Sequence, residues 1–179
     1  MVDDDRPNTW FLQHRRLFGP GVRVLDLACG RGRHAVAAAR AGAQVVGIDR
    51  SVPRLEEARQ RAREAGVAVE FRLADLETIE LSPAAYDLVM VFNYLDRSRM
   101  SSFGRAVHPG GYLLLDTFHA AQRLFPHGPR SPAHLLEPGE ILTLTPVGFE
   151  RIATREVYET IDAVTSARAG LLARRSAQS

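Results

Sequence analysis

Short apolar runs alternate with segments of helical periodicity along most of the chain. The runs are rich in Val, Leu and Ile, which favour strands buried on both faces of a sheet. The last two predicted strands are joined by a short turn, which predicts an antiparallel pair. The predicted strands are Val22–Leu27, Gln44–Ile48, Val67–Arg72, Tyr86–Phe92, Tyr112–Phe118, Phe149–Thr160 and Val164–Arg174.

Helical patterns fill several of the gaps between these strands. Ser51 is a suitable N-cap for the second helix, and apolar residues recur on one face of that helix. Gly42 and Gly66 follow the first two helices at the position where glycine commonly ends a helix. The predicted helices are Arg33–Ala41, Ser51–Ala65, Ser98–Val107 and Pro138–Thr145. The sequence His-Pro-Gly-Gly, residues 108–111, is expected to end the third helix before the next strand.

This order of elements predicts an α/β fold with helices on both faces of a mostly parallel seven-stranded sheet and a C-terminal antiparallel hairpin. We expect one domain over residues 1–179, with mobile segments at 1–9 and 175–179. In such sheets a ligand binds beyond the carboxyl ends of the strands. The positions that the pattern places there are 26–32, 49–50, 75–76, 92–97 and 116–119.

Composition excludes several chemistries. The chain has one cysteine, Cys29, so it can form neither an internal disulfide nor a multi-cysteine zinc site. All 23 basic residues are arginines, so no Schiff-base lysine or P-loop lysine exists. The sequence pI is about 9.1, but the net charge is only +2 and the arginines are scattered along the chain. The basic pI is therefore only weak evidence for nucleic-acid binding. No apolar stretch is long enough for a membrane span, and the acidic start MVDDDRP is typical of neither a signal nor a transit peptide, so we expect a cytoplasmic protein.

A glycine turn follows the first predicted strand, in the string VLDLACGRGRHA. Gly30 and Gly32 lie between the strand and a helix, where glycine lets a ligand approach the main chain closely. Asp49 ends the next strand 17 residues after Gly32, where a carboxylate can accept hydrogen bonds from the hydroxyls of a ribose. The combination predicts a ligand that contains adenosine.

Asp26 discriminates between the possible adenosine ligands. It lies inside the first strand, four residues before Gly30. A carboxylate beside a pyrophosphate would be repulsive, whereas it suits a ligand with a cationic amine. S-adenosylmethionine (SAM) carries an ammonium and a sulfonium and has no phosphate. An alternative interpretation is that Asp26 only caps the following turn.

At this point the sequence resembles the class I SAM-dependent methyltransferases over essentially its whole length. The strings VLDLACGRG, VVGIDRS, ADLE, YDLVMVFNYL and HPGGYLLLDTF resemble successive motifs of that family. The closest likeness is to small bacterial methyltransferases of the tellurite-resistance type, through GRGRHA, NYLDR and LLEPGEIL. The resemblance implies a Rossmann-like fold, SAM as cofactor, S-adenosylhomocysteine as product, and no metal.

The resemblance also assigns roles to residues. It implies that Asp49 holds the ribose hydroxyls, that Asp75 contacts the adenine amino group, and that Ala28 replaces a commoner glycine. The complete implied cofactor set is Asp26, Ala28, Gly30, Gly32, Asp49, Arg50, Asp75, Leu76, Phe92 and Asn93.

An acceptor would lie near the ends of the fourth and fifth strands. Methyl transfer from a sulfonium needs mainly positioning and desolvation, and a thiol or a metalloid oxyanion needs no general base. Arg97 is a candidate for binding an anionic acceptor, and the Pro-rich segment 126–136 is a candidate acceptor loop or a plain connection. The segments that could form the pocket are 8–12, 93–97, 117–124 and 126–136. The candidate catalytic residues are Tyr94, Asp96, Arg97 and His119.

We therefore expect a methyltransferase that acts on a small-molecule acceptor, such as a thiol or a metalloid oxyanion. Three alternatives stay open. A nucleic-acid or protein methyltransferase is disfavoured because NYLD lacks the Asn/Asp-Pro-Pro-aromatic signature of base-amine methylation and no recognition domain is evident. An NAD(P)-binding oxidoreductase is disfavoured by Asp26 and the final hairpin. A SAM-binding module without catalysis fits the same motifs.

Overall fold

The computed structural model describes residues 6–177, which fold around one seven-stranded sheet. The strand order is β3-β2-β1-β4-β5-β7-β6. The first five strands are parallel, and β7 is antiparallel to both β5 and β6. The strands are β1 Arg23–Leu27, β2 Gln44–Asp49, β3 Glu70–Leu73, β4 Tyr86–Phe92, β5 Val107–Phe118, β6 Phe149–Ile161 and β7 Val164–Arg175. The expected α/β fold with a C-terminal antiparallel pair is confirmed.

Among the residues that the structure describes, four α-helices and several 3-10 helices cover the sheet. The Ser51 side chain caps α3 by accepting a hydrogen bond from the Arg54 amide, as the sequence predicts. The α-helices are α1 Thr9–Gln13, α2 Arg33–Arg40, α3 Val52–Glu64 and α4 Met100–Ala106. The 3-10 helices are Arg15–Leu17, Arg97–Arg99, Ala120–Leu124, Pro132–His134 and Glu140–Leu144. Within residues 6–177, every helix is too short or too polar to cross a membrane.

The sheet has a hydrophobic core on each face. Leu113 and Leu115 of β5 point to one face, where they pack with Phe103 of α4, while Leu114 points to the other face. On that second face Trp10 and Phe11 of α1 pack beside α2. Because both faces are covered, the central strands are apolar at nearly every position.

The predicted elements differ from the observed ones mainly around β5. The predicted helix Ser98–Val107 begins as a 3-10 turn at Arg97 and ends at Ala106. Residues 108–111 follow the end of the helix as predicted, but they already belong to β5, which begins at Val107. Gly111 makes this possible, because a Cβ there would lie 2.5 Å from the Asp87 carbonyl oxygen. The predicted helix Pro138–Thr145 is a 3-10 helix over Glu140–Leu144, with a left-handed backbone at Gly139 before it and an extended backbone at Thr145 after it.

Regular structure reaches into both segments that the sequence predicts to be mobile, and their mobility stays a prediction. Asn8 is buried and its side chain caps α1, a helix that the sequence pattern did not indicate. At the other end, Arg175 belongs to β7 and donates to the carbonyls of Arg105 and Val107. The remainder of those predictions, at residues 1–5 and 178–179, lies outside the described residues.

Candidate functional site

Two adjoining clefts open at the carboxyl ends of the parallel strands. The main cleft has a volume of about 580 Å³ and extends from Asp49 past Asn93 to Phe118. The turn cleft has a volume of about 440 Å³ and lies over the glycine turn after β1. Both are lined by Ala28, Asp49, Arg54, Asn93 and Tyr94, so the two clefts form one continuous site.

The glycine turn shapes the floor of the turn cleft. Gly30 has φ +55°, and a Cβ built there would meet no atom within 4 Å. Its missing side chain therefore leaves open space beside the backbone, as close approach by a ligand requires. Ala28 has the same φ of +55°, a conformation that costs a residue with a Cβ roughly 1–2 kcal/mol. This explains why glycine is commoner at this position in the motif that the turn resembles.

Gly32 has a different role from Gly30. A Cβ at Gly32 would lie 2.9 Å from Cβ of Ala58 and 3.1 Å from the ring of Phe71. The residue lines neither cleft. Gly32 is therefore required by the close packing of the start of α2 on α3, and its predicted contact with the cofactor stays a prediction.

Asp49 joins the end of β2 to the glycine turn. Its Oδ2 accepts a hydrogen bond of 2.8 Å from the Gly30 amide, and its Oδ1 accepts one of 2.9 Å from the Ser51 amide. Cys29 reinforces the junction by donating its amide to the Ile48 carbonyl. These bonds fix the carboxylate at the boundary between the two clefts.

Asp26 lies beneath the turn and lines neither cleft. It is 1% exposed, and its Oδ2 has no hydrogen-bond partner among residues 6–177. Burial raises the pKa of Asp26 to about 8, and the nearby charge of Asp49 acts in the same direction. A hydrogen bond from the backbone of Ala35 and the charge of Arg33 oppose that shift. A buried carboxyl oxygen without a partner is uncommon and marks a place where a further polar group fits.

The loop after β3 forms one wall of the main cleft. Asp75 accepts a hydrogen bond from the Glu77 amide, and Leu76 is buried beside it. Arg50 is largely exposed and lies 4.0 Å from Glu77. The structure thus brings Arg50, Asp75 and Leu76 to one end of the cleft, as predicted from the sequence.

The end of β4 forms the wall shared with the turn cleft. Asn93 adopts φ +58° and donates its amide to the Asp116 carbonyl. The Phe92 ring stacks on His34 with centroids 4.0 Å apart, and both side chains line the turn cleft. Tyr94 lines both clefts, and its pKa is raised by burial and by the neighbouring charge of Asp96. His34 was missed in the sequence, where its place in GRGRHA was the only signal.

Beyond Tyr94 the main cleft continues to an end that we name the acceptor end. It is lined by Thr117 and Phe118 of β5 together with Pro129 and His134 of the Pro-rich loop. The sequence placed His134 in a candidate acceptor loop without assigning it a role. Asp96 also lines the main cleft, although its carboxylate is occupied in accepting from the amides of Ser98 and Arg99.

Two candidate catalytic residues lie outside both clefts. Arg97 pairs with Glu140 and donates to the carbonyls of Ala133 and Leu135, so it does not face an acceptor. His119 is buried, accepts from the Ala121 amide, and its ring lies 5.9 Å from that of Tyr158. Burial lowers the pKa of His119. Neither side chain is placed to contact a molecule in the cleft.

Comparison with known proteins gives a consistent assignment. Residues 24–111 match the model of a family described as "Methyltransferase domain". "Ubiquinone biosynthesis O-methyltransferase" of Paracidovorax citrulli is 33% identical over 144 residues, covering 69% of this chain and 60% of that protein. The protein of the same name from Bordetella avium is 33% identical over 141 residues, covering 68% and 58%. The chain thus spans less than two thirds of the length of these relatives.

Solved structures agree at the level of the fold. A SAM-dependent methyltransferase of Methanosarcina mazei superposes with a TM-score of 0.74 at 18% identity, covering 92% of this chain and 97% of that one. TehB from Haemophilus influenzae gives a TM-score of 0.76 at 17% identity, covering 95% and 63%. The strand order, the glycine turn joined to Asp49 and these matches lead to one conclusion: the chain belongs to the class I SAM-dependent methyltransferase family.

Proposed function

We propose that the chain binds SAM across the turn cleft and the adjoining part of the main cleft, and transfers the methyl group to a small molecule at the acceptor end. The observation that carries this proposal is the fixed position of Asp49 between the two clefts, with Gly30 on one side and Asp75 on the other. SAM supplies an electrophilic methyl group on a sulfonium. The chain itself supplies binding, orientation and exclusion of water.

The donor groups of the site fit SAM better than a dinucleotide. Asp49 would hold the ribose hydroxyls, and Arg50, Asp75 and Leu76 would surround the adenine. At the other side, Ala28, Gly30, Phe92 and Asn93 would surround the methionine portion, with Asp26 beneath them. Asp49 places a carboxylate beside the turn, which opposes a pyrophosphate. Asp26 beneath it holds its proton at neutral pH in the free protein, because burial raises its pKa to about 8, and a cationic group of a ligand would favour its ionised form.

The acceptor end favours an uncharged acceptor. The residues that line it include no arginine and no carboxylate, and Arg97, the predicted anion-binding residue, is paired with Glu140 instead. A phenolic hydroxyl or a thiol therefore suits this end better than a metalloid oxyanion. The names of the curated relatives, which are O-methyltransferases, support the hydroxyl. His134 is the side chain at this end that could accept the proton of a hydroxyl, whereas Tyr94, whose pKa is raised by burial, keeps its own proton.

Carboxylates at the rim of the main cleft argue for a small acceptor over a nucleic acid. Asp75, Glu77 and Asp96 all line this cleft. A phosphate backbone entering beside them would be repelled, whereas nucleic-acid sites are typically basic. The proposed partner is therefore a small organic molecule.

Calorimetric titration with SAM, S-adenosylhomocysteine, NAD and NADP tests the cofactor. Binding of the first two alone supports the proposal, and binding of NAD or NADP, or of none of the four, overturns it. Release of S-adenosylhomocysteine is then followed with a catechol, an aliphatic thiol, selenite and tellurite. Turnover of the catechol or the thiol supports an uncharged acceptor, turnover of selenite or tellurite alone overturns that part, and binding without turnover indicates a non-catalytic module.

A further inference from the structure

The Pro-rich loop that carries His134 is closed at its base. The Leu136 amide donates to the Phe118 carbonyl at 3.0 Å, and the Ala120 amide donates to the Leu136 carbonyl at 2.8 Å. These bonds form a parallel bridge between His119 and Leu136. The Leu135 and Leu136 side chains are completely buried. The segment of the loop that ends at Leu136 is therefore fixed to the end of β5.

A buried amide fixes the outgoing half of the same loop. Gln122 is fully buried, and its Nε2 donates to the His127 carbonyl at 2.8 Å. Its Oε1 accepts a hydrogen bond of 2.8 Å from the Ala167 amide of β7. Hydrogen bonds thus fix the loop on both sides of Pro129, at His127 and at Leu136.

Arg97 holds the backbone on both sides of His134. Its Nη1 donates to the Ala133 carbonyl at 3.3 Å, and its Nη2 donates to the Leu135 carbonyl at 2.8 Å. Nη2 also donates to Oε2 of Glu140 at 2.9 Å, and Nε bonds the other oxygen of that carboxylate. The same Oε2 accepts from the Glu137 amide at 2.8 Å. One guanidinium therefore connects the chain after β4 to the segment that carries His134.

The hydrogen bonds of Arg97 join two segments that both line the main cleft. Tyr94 and Asp96, just before Arg97, line the main cleft, as does His134 on the other side of the bridge. The mutual hydrogen bonds hold the pKa of Glu140 below its usual range and raise that of Arg97, so the pair stays ionised. A lysine could not reproduce the planar, forked set of donors.

We propose that Arg97, braced by Glu140, is a positioning residue that sets the place of His134 in the acceptor end and so controls acceptor use without contacting the cofactor. This inference rests on the proposed function, since it assumes that the acceptor lies beside His134. Under this proposal Arg97 does not bind an anionic acceptor directly. It controls the position of the wall against which the acceptor packs.

Arg97→Ala, Arg97→Lys and Glu140→Gln test the proposal, with Arg23→Ala as the matched control. Arg23 forms a forked pair with Asp87, with distances of 3.0 Å, at the opposite edge of the sheet. Amide hydrogen exchange of residues 126–136 is measured first, because it requires no acceptor. We expect it to rise about tenfold or more in Arg97→Ala, since charged hydrogen bonds are lost, to rise less in Arg97→Lys, and to stay unchanged in Arg23→Ala.

Kinetics then separate positioning from general stability. With the catechol or thiol that turns over, Arg97→Ala should raise KM for the acceptor about tenfold while the affinity for SAM changes less than about twofold. Arg97→Lys should recover part of the loss, and Arg23→Ala should behave as the unmodified protein. Glu140→Gln provides the test if Arg97→Ala fails to fold.

The possible results separate the two proposals. Unchanged exchange in residues 126–136, or an equal change in Arg23→Ala, overturns the positioning role. Equal losses for SAM and acceptor also overturn it. If the unmodified protein binds no SAM, the proposed function fails, while the exchange measurement still decides whether Arg97 fixes the loop.

Discussion

The carboxylate of Asp49 accepts a hydrogen bond of 2.8 Å from the backbone amide of Gly30. The two residues belong to different motifs, one at the end of β2 and the other in the turn after β1. Their bond, with the second one from Ser51, fixes both oxygens of the carboxylate at the boundary of the two clefts. The site is therefore organised before any ligand enters, which lowers the cost of ordering it on binding.

Asp49→Ala should weaken SAM binding by roughly 1–3 kcal/mol, or about 5–150-fold, because charged hydrogen bonds to the ribose are lost. The Gly30 and Ser51 amides would also lose their acceptor, and the turn would loosen. Calorimetric titration measures the change. Asp87→Ala, which removes a carboxylate at the opposite edge of the sheet, should leave SAM affinity unaltered. Unchanged affinity in Asp49→Ala would remove this residue from the ribose site.

Gly30→Ala should greatly reduce SAM binding, because the added methyl group enters the open space of the turn cleft. Gly66→Ala is the matched control, since Gly66 has φ +66°, also has no atom within 4 Å of a built Cβ, and lies after α3. Both variants should lose roughly 1–2 kcal/mol of stability from the left-handed backbone. If both, or neither, lost SAM binding, the turn would have no specific contact with the ligand.

Asp26→Asn should change how stability depends on pH. Asp26 has a pKa of about 8 in the folded chain against 3.8 in the unfolded one, so between these values the folded state holds a proton that the unfolded state releases. The free energy of unfolding of the unmodified protein should therefore fall as pH rises through this window. The variant lacks this loss and should gain relative stability.

Urea unfolding at about pH 5 and about pH 8 measures the effect, as the difference in unfolding free energy between Asp26→Asn and the unmodified protein. The difference should move in favour of the variant at the higher pH. A difference that does not change with pH would show that Asp26 titrates normally, and a change of opposite sign would show that its pKa is lowered.

Asp116→Ala should destabilise the fold by about 3–5 kcal/mol, because the buried Arg168 loses its carboxylate partner and the partly buried Arg155 keeps only Glu159. Arg155 donates to Oδ2 of Asp116 at 2.7 and 3.0 Å, and Arg168 pairs with Oδ1. The Asn8 side chain donates to the same Oδ1 at 2.9 Å, which docks α1 on the sheet. Urea unfolding is the measurement. The exposed pair of Asp87 provides the comparison, where Asp87→Ala should cost at most about 1 kcal/mol.

A loss below about 1 kcal/mol in Asp116→Ala would contradict the buried network. Proteolysis gives an independent measurement. Cleavage within α1 should become faster in Asp116→Ala and stay unchanged in Asp87→Ala, because only the first variant removes a contact of Asn8.

Much of the fold and half of the site follow from local patterns. The strands, the α2 and α3 helices and the cap by Ser51 agree with the sequence because each depends on periodicity and on residues next to one another. The lining of the main cleft by Asp49, Asp75 and Asn93 was also predictable, since the carboxyl ends of parallel strands meet at one edge.

The remaining features depend on residues far apart in the chain. Arg97 looked like an anion-binding residue until folding placed Glu140 and the Ala133 and Leu135 carbonyls around its guanidinium. Gly32 looked equivalent to Gly30 until the packing of α2 on α3 distinguished them.

The sequence by itself determined the order of most elements and the edge of the sheet that carries the candidate site, because these follow from short-range patterns and from the rules for parallel sheets. Only the tertiary structure decided which polar side chains face the cleft and which form hydrogen bonds that stabilise the fold instead. The physical reason is that a side chain forms hydrogen bonds with whichever partner the packing of the fold brings within reach. For Arg97 that partner, Glu140, lies 43 residues away in the sequence.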